Sequence, residues 1–107
     1  MEVEFVKIEV LLPVEYINKL RDELNNSGFL TVGSYDNVVS YSFVHGYWRP
    51  LHESTPFSGK KGEISFGTEC KMEFRCSYIN VREVKDIIHK LHPYEEPIIN
   101  VMPLLNE

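Results

Sequence analysis

Basic residues are in the minority in this sequence. Lys and Arg number 11 against 16 Asp and Glu, for a net charge of −5. A nucleic-acid surface would need a dense local basic patch to overcome that balance, and none is visible. The nearest cluster, Lys60-Lys61, sits among turn residues and reads as a solvated turn. Cysteine is scarce too, with two in 107 residues. If Cys70 and Cys76 share one strand, their separation of six places them roughly 20 Å apart, beyond disulfide reach. They read as buried thiols facing the same way. No apolar run approaches the length of a membrane span. Met1-Glu2-Val3-Glu4 lacks the basic and apolar regions of a secretory signal, so the expected compartment is the cytoplasm.

Proline and glycine, six of each, punctuate what remains. Val6, Ile8, Val10 and Leu12 alternate with Lys7, Glu9 and Leu11, the period of a strand; it starts near Phe5 and Pro13 closes it. Val14, Ile17, Leu20 and Leu24 then recur at helical spacing, and Asn25-Asn26-Ser27-Gly28 ends that helix with a glycine suited to a left-handed cap. Val39, Tyr41 and Phe43 alternate with Ser40 and Ser42, which predicts a second strand with one face packed. From Gly46 to Gly67 turn signals dominate: Arg49-Pro50, Thr55-Pro56, Ser58-Gly59 and Lys61-Gly62. So long a connection is often functional.

The clearest strand follows, with Cys70, Met72, Phe74, Cys76 and Tyr78 on one face. Asn80 and Glu83 have capping-box spacing, and Val84, Ile87, Ile88 and Leu91 give a second helix its buried stripe. Pro93 stops it, and Ile98 to Met102 forms the last strand. One domain over residues 1–107 is expected. Two βαβ halves of this size predict an α+β, ferredoxin-like βαββαβ sandwich. Its four-stranded antiparallel sheet carries both helices on one face, with a long loop or hairpin between strands two and three. Right-handed crossovers put strands one and three in the centre and two and four at the edges. The prolines flank strand four and spare the central strands, as an edge position requires. Two open edges are a liability in a monomer, so either another copy or the 46–67 loop is expected to cover them.

His92-Pro93-Tyr94-Glu95-Glu96-Pro97 concentrates an imidazole, a phenol and two carboxylates in a stretch that its prolines stiffen. The residue types suit a zinc, nickel or copper site, completed by His89 or by His45 or His52 from the loop. They equally suit a corner in which His92 and Tyr94 act as hydrogen-bonding pins. Arg49, between Trp48 and Pro50, can grip an anion bidentately or pair with Glu95, Glu96 or Asp36. Catalysis finds little support. No serine or cysteine lies in a nucleophile motif, and Gly59-Lys60-Lys61-Gly62 lacks the spacing of a phosphate loop. Glu95 and Glu96, adjacent in an extended segment, point in different directions.

The string His92-Pro93-Tyr94-Glu95-Glu96-Pro97, with Met102-Pro103-Leu104 behind it, resembles the C-terminal signature of the YqfO-type domain. That domain is an insert of the GTP cyclohydrolase I type 2-like, dinuclear-metal proteins and also stands alone. Gly33-Ser34-Tyr35-Asp36, Gly46-Tyr47-Trp48-Arg49-Pro50-Leu51, Pro56-Phe57-Ser58-Gly59 and the pair Glu69 and Glu73 are similar to its other marks. Val38, Val44 and Glu53 depart from them, each bulkier than the family's usual residue. The ending also resembles that of CutA, the trimeric divalent-cation-tolerance protein. Together the resemblances imply the PII/CutA-like branch of the fold and assembly through sheet edges, with a trimer favoured. They imply a binding or regulatory role, with Tyr35, Asp36, Gly46, Trp48, Arg49, Pro50 and His92 to Glu96 as ligand or interface residues. Two further expectations are a divalent cation, zinc or copper, and docking on a metal-dependent hydrolase in place of the larger proteins' own insert.

Overall fold

The computed structural model describes residues 2–105. The chain runs β1 (Phe5–Leu12), a 3-10 turn (Val14–Tyr16), α1 (Ile17–Asn26), β2 (Ser40–Trp48) and β3 (Ser65–Ser77). A second 3-10 turn (Tyr78–Asn80), α2 (Val81–Leu91) and β4 (Ile99–Pro103) complete it. The sheet is antiparallel in the order β2-β3-β1-β4. The expected pair of central strands is therefore the observed one, and the architecture is the ferredoxin-like α+β sandwich.

The core forms because one face of each central strand is apolar. Val6, Ile8, Val10 and Leu12 lie opposite Cys76, Phe74, Met72 and Cys70, and all eight are buried. Ile17, Leu20 and Leu24 from α1 and Val84 and Ile88 from α2 close over them. Both cysteines are free, buried thiols on this face of β3. The opposite face carries no helix and is laced by charge instead. Lys7 Nζ lies 2.9 Å from Glu73 and 3.5 Å from Glu9, and Lys71 Nζ lies 3.7 Å from Glu73.

Several local expectations change. Val14 belongs to the 3-10 turn rather than the helix and stays exposed. Asn80 does not cap α2. It already has helical torsions, φ −94° and ψ −2°, because the 3-10 turn precedes it, so its side chain cannot fold back as a cap does. The 46–67 stretch is strand at both its ends, since the β2–β3 ladder continues through Gly46↔Gly67 to Trp48↔Ser65. Residues 49–64 are the true loop. On the edge strand β2, Tyr41 and Phe43, predicted to be packed, are 49% and 63% exposed although their cross-strand partners Met72 and Cys70 are buried.

The end of α1 matches its sequence. Phe29 N–H donates to Leu24 O at 3.0 Å and Gly28 N–H to Asn25 O at 2.9 Å, with Gly28 at φ +82°. This reciprocal pair is the Schellman arrangement. A Cβ at Gly28 would touch nothing within 4 Å, so substitution tests backbone conformation alone. Gly28→Ala is expected to cost about 1–2 kcal/mol in urea unfolding, and Gly28→Asn less. Equal stability of all three proteins would contradict the left-handed cap.

Candidate functional site

The corner between α2 and β4 is built on a gap in the ladder. β4 begins pairing at Ile99, opposite Val10. One residue further along β1, Leu11 N–H donates to Ile98 O at 3.4 Å. Leu11 O is taken by a side chain, with His92 Nε2 2.6 Å away. A carbonyl only accepts, so Nε2 carries the proton. Nδ1 then accepts the Tyr94 N–H at 3.1 Å. Both ring nitrogens are engaged and the imidazole is neutral. Burial holds the His92 pKa below its ordinary 6.5, against the opposing pull of the Leu11 bond.

Tyr94 extends the corner toward the hairpin. Its ring lies 4.7 Å from that of His92 and 5.8 Å from that of Phe57. Its hydroxyl donates a long bond, 3.4 Å, to Glu69. Burial, and then the nearby Glu69 carboxylate, push the phenol pKa up to about 12. Burial also raises the Glu69 carboxyl, outweighing the phenol's hydrogen bond. Glu95 fastens the loop, its Oε1 accepting the Thr55 N–H at 2.8 Å.

The loop is anchored at its base by Trp48. Its Nε1–H donates to Ser58 O at 3.1 Å, and its ring lies against Gly67, where an added Cβ would meet Cη2 at 3.1 Å. Gly59 sits at φ +94° with room for no Cβ, since Ser65 Oγ would lie 2.5 Å away. Pro50 is buried, and its carbonyl accepts the Gly62 N–H at 2.7 Å. Thus Trp48, Pro50, the 55–59 segment and His92 to Glu95 form one assembly at one end of the sheet. Arg49 and Glu96 are exposed beside it. Among the described residues Arg49 makes no ion pair.

Other predicted residues lie elsewhere. Tyr35 and Asp36 occupy the turn after α1, at the opposite end of the eight-residue β1, roughly 25 Å away. Asp36 accepts from Asn37 Nδ2 at 3.1 Å and cannot reach Arg49 of its own chain. His45 bonds Thr68 Oγ1 at 2.9 Å on the hairpin, and His89 is exposed on α2. Among the described residues no three His, Cys, Asp or Glu side chains gather as metal ligands. The candidate ligands His92, Glu95, Glu96, His89, His45 and His52 are therefore not brought together as a metal site within one chain. Sequence reasoning missed Leu11 O, Thr55 and the Phe57 contact with Tyr94. Pairings separated by 37 to 81 positions leave no local pattern to read.

The fold places the chain among CutA/PII-like ferredoxin-like sandwiches. CutA from Archaeoglobus fulgidus, described as a periplasmic divalent cation tolerance protein, superposes with a TM-score of 0.73 over 96% of this chain and 86% of that one. At 17% identity the likeness is one of fold alone. A Bacillus cereus protein related to NIF3 superposes with a TM-score of 0.82 and 26% identity, over 97% of this chain and 26% of its own. A GTP cyclohydrolase 1 type 2 homolog from Halalkalibacterium halodurans is 32% identical over 101 residues, 94% of this chain and 27% of the relative. The resemblance read from the His92 to Pro97 signature thus extends over nearly the whole chain. The chain spans about a quarter of the length of the curated relatives it matches. No family model matches it.

A neutral, doubly bonded His92 makes a pH-dependent prediction. Removing it leaves Leu11 O and Tyr94 N–H without partners, so His92→Ala should cost about 1–3 kcal/mol near neutral pH. Because the folded-state pKa lies below 6.5, the unfolded chain takes up the proton first as pH falls. The stabilisation is complete above 6.5 and is lost as pH drops through the window beneath it. The raised Glu69 carboxyl has the opposite sign but is shared by both proteins. Urea unfolding should show the gap between wild type and His92→Ala narrowing toward pH 5. A gap that stays constant or widens would contradict the assignment.

Proposed function

We propose that this chain is a small oligomeric binding or regulatory module with no catalysis of its own. Its ligand-facing surface lies where the 49–64 loop meets residues 92–96, at the boundary between copies. The observation that carries this reading is the row of aromatic rings on the projecting hairpin. Tyr41, Phe43, Tyr47 and Phe66 share one face and are 49–75% exposed. At about 200 Å² per aromatic side chain, that row offers on the order of 500 Å². This reaches the upper part of the range for a protein's largest apolar patch, roughly 300–600 Å², and is more than half of one side of a standard interface.

The row borders β2, an edge strand whose outer backbone groups are free to pair. The opposite edge, β4, is also open, since among the described residues no backbone hydrogen bond joins it to the 49–64 loop. A contact between β2 of one copy and β4 of the next is heterologous, the type of contact that builds a ring when the rotation between copies closes. The likeness to CutA favours three members. The cyclohydrolase name of the curated relatives belongs to proteins about four times as long.

Sedimentation at micromolar concentration should give an oligomer, and Phe43→Glu should shift it to monomer while preserving the circular dichroism spectrum. A wild-type monomer under those conditions would overturn the reading.

A further inference from the structure

At the end of the sheet opposite the loop lies a cleft of about 350 Å³, toward the lower limit of small-molecule sites. It opens where the chain leaves α1 and where β3 turns into α2. Its apolar wall comes from Phe5, Phe29 and Val32, with the buried Cys76 behind.

The polar groups on its rim are uncommitted. The Arg75 guanidinium carbon sits 4.0 Å from the centre of the Phe5 ring, so the aromatic face holds the side chain at the cleft. Among the described residues Arg75 has no carboxylate partner, whereas Lys7 and Lys71 on the same sheet face are both paired. Ser77 and Asn80 hold the positions from which side chains commonly cap a helix, yet neither does so. Like Thr31, they make no side-chain hydrogen bond among the described residues. Three neutral polar side chains and one guanidinium therefore line a single apolar recess without internal partners.

We propose that this cleft binds a small organic oxyanion, a carboxylate or phosphate monoester carried on a compact apolar group. Arg75 receives the oxyanion through paired N–H donors. Thr31, Ser77 and Asn80 supply further donors, and the apolar group rests against Phe29 and Val32. The chain's net charge of −5 works against loose anion attraction, so binding depends on these local groups. The site stands apart from the loop and corner and does not depend on oligomerisation.

The test is a titration of the full chain with phenyl phosphate, benzoate and inorganic phosphate, followed by amide nuclear magnetic resonance. Phenyl phosphate or benzoate should produce saturable shifts at Thr31, Gly33, Ser77 and Asn80, with inorganic phosphate weaker. Arg75→Gln should weaken binding roughly tenfold or more, the loss of one charge-assisted contact, and Arg75→Lys by less. The same spectra report whether each variant is folded. The proposal is overturned if shifts do not saturate by about 10 mM, a bound corresponding to a very weak site. It is equally overturned if the shifts map to other residues, if Arg75→Gln binds as well as wild type, or if inorganic phosphate binds as tightly as its phenyl ester.

Discussion

The hydrogen bond from His92 Nε2 to Leu11 O ties the far end of α2 to a central strand. β4 pairs with β1 only as far as Val10, so the next carbonyl on that side would lack a ladder partner. An imidazole from a residue 81 positions away fills the vacancy. It can do so because Pro93 ends the helix and leaves His92 extended at φ −75° and ψ 133°. The second ring nitrogen receives the Tyr94 amide, which sets the direction in which the chain departs for β4. Helix, central strand and edge strand are thus joined through one neutral ring.

From that pin the constraint passes outward. Tyr94, held over His92, meets Phe57, and Glu95 takes the Thr55 amide. At its base the loop is held by Trp48, whose ring needs the bare backbone of Gly67 and Gly59. A loop of this length would ordinarily sample many shapes. Here it is fastened at both its stem and its middle, and its residues reach the corner as a fixed surface. The aromatic row on the same hairpin is left without cover, which makes the chain a candidate for assembly.

Much of the architecture was legible because alternation and helical spacing report faces directly. Four apolar residues at period two identify β1 and five identify β3, although the fifth, Tyr78, falls in the 3-10 turn and is exposed. The handedness of crossovers orders the sheet. The failures have physical causes. Alternation at Tyr41 and Phe43 shows that two faces differ, but not whether anything covers the apolar one. Gly46 and Gly67 bound the stretch read as loop, yet they pair within the ladder, and the Trp48 ring occupies the space a side chain at Gly67 would need. Asn80 and Glu83 have the right spacing for a cap, but the 3-10 turn upstream winds Asn80 into the helix. At the site, the pinning role of His92 and Tyr94 was one of two open readings. What separates Tyr35 and Asp36 from Arg49 is the length of a strand, which no local motif encodes.

Native-state amide exchange on the intact chain tests the central pin most directly. The amide of Tyr94, bonded to His92 Nδ1, and that of Thr55, bonded to Glu95, should both exchange far more slowly than in an open chain. Protection confined to the strands and helices, with Tyr94 and Thr55 exchanging as fast as unstructured residues, would contradict the account.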